Sequence, residues 1–252
     1  MPGEVTYSRL LPAGPDASAP ELLAEVRPRE RAPADRPFVF VNMVATIDGR
    51  AQVRGRTGEL GEAADLEMLL ALRALADAVL IGSGTLRAEG YARLVGSEER
   101  RARREAAGLA ADPVAVLLSR GLDLPWDAGL FAAPEQPVLV YTAADAVGAV
   151  PETAAPVEVV RLERPAPAAA LADLRARGVR ALLSEGGPTL FRGFLAAGYV
   201  DELFLTLTPL MTGDEAETAI VSGARLADPA RMALRWVLRA DDELFLRYTA
   251  VR

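Results

Sequence analysis

Apolar positions along this chain cluster in short runs separated by turn-forming residues. The first long run is Phe38-Val39-Phe40-Val41-Asn42-Met43-Val44-Ala45. Its β-branched and aromatic content predicts a buried strand, stopped by the turn signal Thr46-Ile47-Asp48-Gly49. Comparable runs predict strands at 78–81, 114–118, 138–141, 157–160 and 181–183. Residues 202–207, 232–239 and 243–250 alternate as strands do, the last two as an antiparallel hairpin turning at Asp241-Asp242. Helical patterns cover 62–77, 97–107, 167–177 and 189–197, with Gly178 and Gly198 as stops for the last two. The 97–107 segment is charged on most faces and reads as a solvated helix. In 62–77, Leu66, Leu69 and Leu70 share one face, and Arg73 projects from that stripe. An arginine there wants an anion, either a carboxylate such as Asp77 or Glu62 or a ligand phosphate. Residues 50–61, rich in Gly and Arg, predict a loop or bent hairpin.

Strands alternate with helices over the first two thirds of the chain, and strands dominate afterwards. That order predicts an α/β fold: a mainly parallel twisted sheet with helices on both faces and an antiparallel C-terminal edge. Residues 1–35, rich in Pro and Ala with a short helical patch at 21–25, read as an N-terminal arm. Residues 36–252, without internal repeat or long linker, read as one domain. No run approaches the roughly 18 apolar residues of a membrane span. The first twenty residues lack a basic start followed by an apolar core, so no signal peptide is expected. The formal net charge of −7 argues against a nucleic-acid partner. A cytoplasmic location is the expectation, and the absence of Cys fits a reducing compartment.

Composition narrows the chemistry. The 252 residues contain no Cys, no His and no Lys, so all 28 basic residues are Arg. A Ser-His-Asp triad, a thiolate nucleophile, a Schiff-base lysine and a phosphate loop ending in Gly-Lys are therefore excluded. Zinc sites of His and Cys are excluded as well, and no metal is expected. Arg stays protonated and can only bind anions or stabilise charge. Reactivity must come from carboxylates, from a carboxylate-held metal, or from a bound cofactor.

Three strand ends share one design. They are Thr46-Ile47-Asp48-Gly49, Gly82-Ser83-Gly84-Thr85 and Ser184-Glu185-Gly186-Gly187-Pro188-Thr189. In parallel sheets ligands sit beyond the carboxyl ends of strands. Gly lets a ligand approach the backbone, and a following helix start turns N–H groups toward anions. Gly186, Gly187 and the amides through Leu190 are suited to a pyrophosphate, with Pro188 in the first helical turn. Neither Gly pair forms a G-x-G-x-x-G fingerprint, so an ordinary dinucleotide fold is not supported. Each turn alone is equally a plain strand–helix connection.

Taken in order, Asn42-x-x-x-Thr46-Ile47-Asp48-Gly49, Leu72-Arg73-Ala74, 77–85 through Gly84-Thr85, 184–190 and Val200-Asp201-Glu202-Leu203 resemble one family. It is the riboflavin-biosynthesis pyrimidine reductase family, in its stand-alone form, with a dihydrofolate reductase-like fold. The resemblance covers about 36–251. It implies NADPH as hydride donor, with Ala45, Thr85, Ser119, Gly186, Gly187, Pro188, Thr189 and Leu190 at cofactor-contacting positions. Gly82 and Gly84 belong to the same cofactor turn. Ser119 and Arg120 favour a 2′-phosphate through hydroxyl and guanidinium contacts. It implies a phosphorylated pyrimidine substrate held by Asn42, Thr57, Arg73 and Glu185, and Asp48 beside the reaction centre. Hydride would attack C1′ of the ring-opened imine of a diaminopyrimidine ribosyl phosphate. Asp48 and Glu185 are the candidate catalytic proton carriers. Asp48 alternatively caps its own turn, and Glu185 alternatively faces a helix dipole. Members commonly pair, and an edge strand needs cover, so a homodimer is expected. The chain departs from the family at Glu89-Gly90-Tyr91, where Asp-Asp-Pro is common. That segment borders the substrate, which leaves dihydrofolate or pterin reduction as an alternative, and a non-catalytic nucleotide-binding dimer as another.

Overall fold

A computed structural model describes residues 5–163 and 166–251. Of the expected N-terminal arm, residues 1–4 lie outside the described residues. The elements in chain order are β1 (Tyr7–Leu11), β2 (Ala13–Ala17), α1 (Ala19–Leu23), β3 (Phe38–Thr46), α2 (Ala63–Leu75), β4 (Ala78–Gly82), α3 (Ser83–Glu89) and α4 (Glu98–Ala106). They continue with β5 (Val114–Leu118), β6 (Val138–Ala143), β7 (Val157–Leu162), α5 (Pro167–Ala176), β8 (Ala181–Ser184), α6 (Pro188–Ala196), β9 (Glu202–Thr208), β10 (Met232–Ala240) and β11 (Glu243–Ala250). The fold is mixed α/β, as the alternation of patterns predicts. Among the described residues no helix is long and apolar enough to cross a membrane.

The chain forms two compact units, each assembled from separated segments. The first takes the residues up to Arg27, then Val39–Leu72, then everything from Pro188 onward. Its strands run in the order β2-β1-β10-β11-β9-β3. Neighbours are antiparallel up to β9, and β9 and β3 are parallel. β3 is buried along its length except at Asn42, as its nearly continuous apolar run requires. β11 alternates buried and half-buried positions, so one of its faces packs inward. The inward faces build an aromatic core. Tyr7 meets Phe245 edge-on at 5.0 Å between centroids, and Phe204 meets Trp236 at 5.9 Å. Within this core Arg247 is buried against Glu202, with bonds of 2.9 and 3.0 Å, and reaches Glu25 at 2.6 Å.

The antiparallel region differs from expectation at its margin. The C-terminal hairpin does not end the sheet, because β1 pairs with β10 and β2 lies outside β1. Both added strands come from the segment read as an arm. Their sequences, YSRLL and AGPDA, carry no apolar alternation, and Pro15 and Gly14 lie within β2. An outermost strand tolerates such residues because one row of its backbone groups needs no partner.

The second unit comprises Pro28–Phe38 and Arg73–Gly187. Its strands lie in the order β8-β4-β5-β6-β7, all parallel. β6 and β8 are buried at every position. Asp77, just before β4, accepts both the Arg180 and Ala181 amides at 2.9 Å and fixes the entry to β8.

Two helices add detail to their predicted faces. α2 buries Ala64, Met68, Ala71 and Leu72, a stripe at the spacing of one helical face. On the opposite stripe Leu66 is 54% exposed, while Leu69 and Leu70 are half-buried. α4 is solvated except at Arg104, which is only 2% exposed. Its guanidinium donates to the Arg73 and Ala74 carbonyls at 2.7 and 3.1 Å and to the Ala110 and Ala111 carbonyls. A buried cation thus closes the C-terminal end of α2, where the helix dipole is negative.

Candidate active site

Register places the first group of site residues. In the second unit, Leu80 pairs with Ser184, and the Glu185 amide continues the ladder to the Leu80 carbonyl at 2.9 Å. Glu185 is therefore carried out at the carboxyl end of β8 with its backbone fixed. On the other side of β4, Gly82 pairs with Leu118, so Ser119 follows level with the start of α3. Ser119 is buried, and its amide bonds the Tyr141 carbonyl at 3.0 Å. Arg120 is exposed, while its carbonyl accepts from Thr142 Oγ1.

Two of the three predicted turns meet in this unit. A Cβ on Gly82 would stand 3.1 Å from the Gly187 nitrogen, and a Cβ on Gly187 would stand 3.0 Å from Thr85 Oγ1. Side chains larger than hydrogen would wedge the turns apart, which is the physical reason for Gly at both positions. Gly84 lies in open space, with no atom within 4 Å of its Cβ direction. The corner therefore joins backbone amides and the Thr85 hydroxyl beside an uncovered helix start. Gly186 directly follows Glu185 in this corner and is buried.

Beside it lies a buried ionic cluster. Arg73 Nε and Nη2 each donate to Glu185 at 2.7 Å, to Oε1 and Oε2 respectively. Arg73 Nη1 donates to the Leu94 carbonyl at 3.1 Å. The side chains are 12% and 4% exposed, so the pair is largely dry. Burial alone would lower the Arg73 guanidinium, but the Glu185 charge and hydrogen bonds hold it above its ordinary value. Tyr91 adds a third contact, its hydroxyl donating to Glu185 Oε2 at 2.9 Å. The Arg73 guanidinium also stands 5.4 Å from the Tyr91 ring centroid. Burial, followed by the Glu185 charge, raises the Tyr91 phenol well above its usual value, so it remains a donor.

Sequence reasoning names Arg73 and Glu185 separately, and Tyr91 only as a departure. The partner of Arg73 is Glu185, 112 residues away, and not the nearby Asp77 or Glu62. One local signal for Tyr91 exists. Gly90 ends α3 with φ +61°, a left-handed cap that turns the chain so that the next side chain leaves the helix axis.

The second group of residues belongs to the first unit. Asp48 follows β3 and accepts from Thr46 Oγ1 at 2.5 Å, from the Gly213 amide at 2.9 Å and from the Thr212 amide and hydroxyl at 3.3 Å. Led by the Thr46 hydroxyl and then the Gly213 amide, these bonds lower its carboxyl to about 2. Asp48 is thus an ionised clasp between the β3 turn and the loop after β9. Ala45 is buried in β3, and its carbonyl accepts from Thr208 Oγ1. Thr57 donates to the Ala51 carbonyl at 3.2 Å within the 50–61 turn, which closes by a Val53–Arg56 bridge. Asn42 lines a small, partly open pocket with Met68, Phe204, Thr206, Trp236 and Phe245. Pro188, Thr189 and Leu190 form the first turn of α6, Thr189 exposed and the Pro188 carbonyl accepting from the Ser222 amide. Among the described residues no group of three or more acidic side chains is arranged to hold a metal.

A family profile described as the RibD C-terminal domain matches residues 37–244. The chain belongs to the RibD C-terminal domain family. Two relatives of that family are both named 2,5-diamino-6-ribosylamino-4(3H)-pyrimidinone 5′-phosphate reductase. The protein from Archaeoglobus fulgidus is 28% identical over 200 residues, covering 78% of this chain and 91% of its own. The one from Methanothermobacter thermautotrophicus is 27% identical over 228 residues, covering 85% and 98%. Among solved structures, a pyrimidine reductase-like protein from Corynebacterium diphtheriae has a TM-score of 0.77 at 24% identity, covering 94% of this chain and 100% of that one. That structure agrees with this chain in fold.

Proposed function

We propose that the chain is an NADPH-dependent reductase of a phosphorylated diaminopyrimidine bearing a ribosylamino group. The observation that carries the reading is the length of the match. The two archaeal reductases align over at least 91% of their own length, so their activity resides in the portion this chain shares. The residue inventory supports it. A chain without Cys, His or Lys has few routes to reactivity of its own, and reduction places the reactive hydrogen on a cofactor.

The residues present fit a nicotinamide dinucleotide. Gly84 is open, and Gly82, Gly187 and Thr85 bring backbone and a hydroxyl together without a covering side chain. We assign Gly82, Gly84, Thr85, Gly186 and Gly187 to its diphosphate. The exposed Arg120 beside Ser119 would meet a 2′-phosphate, the basis for preferring NADPH. When bound, that cofactor would supply the hydride, and the imine nitrogen would take its proton from water. The chain's own groups orient the acceptor carbon, C1′ of the ring-opened imine. Glu185 accepts from a donor on the pyrimidine or sugar, with Arg73 beside it. Asp48, ionised at neutral pH, accepts bonds rather than giving a proton, and holds the loop after β9 in place.

The test is nicotinamide absorbance during incubation with the diaminopyrimidine phosphate and, in parallel, with dihydrofolate. Turnover of the pyrimidine with NADPH, faster than with NADH, is expected. Turnover of dihydrofolate alone, or of neither, overturns the proposal.

A further inference from the structure

Tyr91 directly follows the left-handed Gly90 cap of α3, and the structure gives it a defined contact. An ionised carboxylate offers about four acceptor sites. At Glu185, Arg73 occupies one on each oxygen, and the Tyr91 hydroxyl takes the second on Oε2. Among the described residues, one site on Oε1 is left over. Without the phenol, the carboxylate would be held from a single side, by the guanidinium alone, and could tilt about that pair. With it, the group is tethered from two segments, α2 and the chain after α3. The ring also lies against the Arg73 guanidinium, so one side chain restrains both members of the pair.

We infer that Tyr91 is a positioning residue of the reductase: it acts on substrate through Glu185, fixing the carboxylate so that its remaining acceptor site meets a single N–H or O–H donor of the pyrimidine nucleotide. The inference rests on the proposed function and deepens it. Tyr91 is needed for substrate fit and not for the cofactor. The raised phenol supports the assignment, since a tyrosine that stays protonated keeps donating across the working pH range.

The experiment is a double-mutant cycle in the full chain, with Tyr91→Phe, Glu185→Gln and both together. Tyr91→Phe keeps the ring against Arg73 and removes only the hydroxyl. The loss of a hydrogen bond to a charged acceptor is expected to raise KM for the diaminopyrimidine phosphate about tenfold. Turnover number, melting temperature and NADPH affinity by fluorescence titration should stay within about twofold or a few degrees. Glu185→Gln should raise KM as well, and adding Tyr91→Phe to it should raise KM little further, because the effect passes through the carboxylate. Multiplying fold-changes, an unchanged KM in Tyr91→Phe, or a weakened NADPH affinity would overturn the inference. Should Glu185→Gln fail to fold, Arg73→Gln replaces it in the cycle, with the same non-additivity expected. Wild-type turnover separates the two layers. Its absence sinks the proposed function, whereas its presence with additive variants sinks only the role of Tyr91.

Discussion

At the scale of single residues, the contrast between Asp48 and Glu185 is instructive. Both carboxylates end strands, and both are satisfied by several donors, but the donors differ in kind. Asp48 is bound by hydroxyls and amides of its own turn and of the 212–213 loop. Its carboxyl lies near 2, below the ordinary value of 3.8, so its stabilising effect is complete above about pH 4 and is lost as pH falls toward 2. Asp48→Asn should therefore flatten the acid limb of unfolding in that window, read by circular dichroism, and should expose the loop after β9 to faster proteolysis at neutral pH. Gly187 makes a complementary case. Its substitution by Val places a branched side chain at the position where even a Cβ would come within 3.0 Å of Thr85 Oγ1. NADPH affinity should fall by about 100-fold or more, measured by fluorescence titration, while unfolding remains cooperative. The Gly and the carboxylates were readable from sequence because each sits at a turn with a local signature. The Arg73–Glu185 pairing was not, since its partners are far apart in the chain and only parallel register brings them together.

At the scale of elements, α2 shows how a helix is completed by residues remote from it. At its N-terminal end Glu243 Oε1, from the start of β11, accepts the Glu62 amide at 3.1 Å. Glu243 is only 1% exposed. Burial, with the neighbouring Asp65 and Glu62 carboxylates adding to it, pushes the Glu243 carboxyl up to about 7, against the pull of the backbone amides. Burial raises Asp65 too. The folded state then binds more protons than the unfolded chain between about pH 4.5 and 7, and stability must fall as pH rises through that window. Glu243→Gln keeps a carbonyl oxygen for the Glu62 amide and removes the titration. Urea unfolding should show the wild type losing on the order of 2 kcal/mol from pH 5 to 8, and the variant losing much less. Equal slopes would refute the assignment. Element types were well read where patterns were strong, and the limits of β5 and β11 coincide with the apolar runs that predict them. β2 escaped because an edge strand tolerates an irregular, Pro-containing sequence, and β1 because its five residues carry no apolar alternation.

At the scale of the whole molecule, a chain whose only cations are arginines uses them as internal fasteners. Arg73, Arg104 and Arg247 each join segments distant in sequence through several N–H groups at once. A lysine offers three donors around a point charge and cannot reproduce the planar two-point contact that Arg247 makes with Glu202. Arg247→Lys should thus leave a buried carboxylate poorly satisfied and cost roughly 1–3 kcal/mol in urea unfolding. The sheet margin obeys the same logic of satisfying groups across sequence distance. The edge of β10 that would otherwise face solvent is paired by β1, through contacts such as Ser8 with Arg239 and Arg9 with Leu238. The need for cover that motivates a homodimer is thereby met within the chain at this edge. Deleting residues 1–17 removes β1 and β2 and bares a nine-residue strand with open backbone groups. Light scattering should then show concentration-dependent association beyond that of the full chain. Adding back a peptide of residues 5–18 should suppress it by re-pairing the edge. If the truncated chain keeps the same molar mass as the full chain at every concentration, β1 is ornament to the sheet and not its cover.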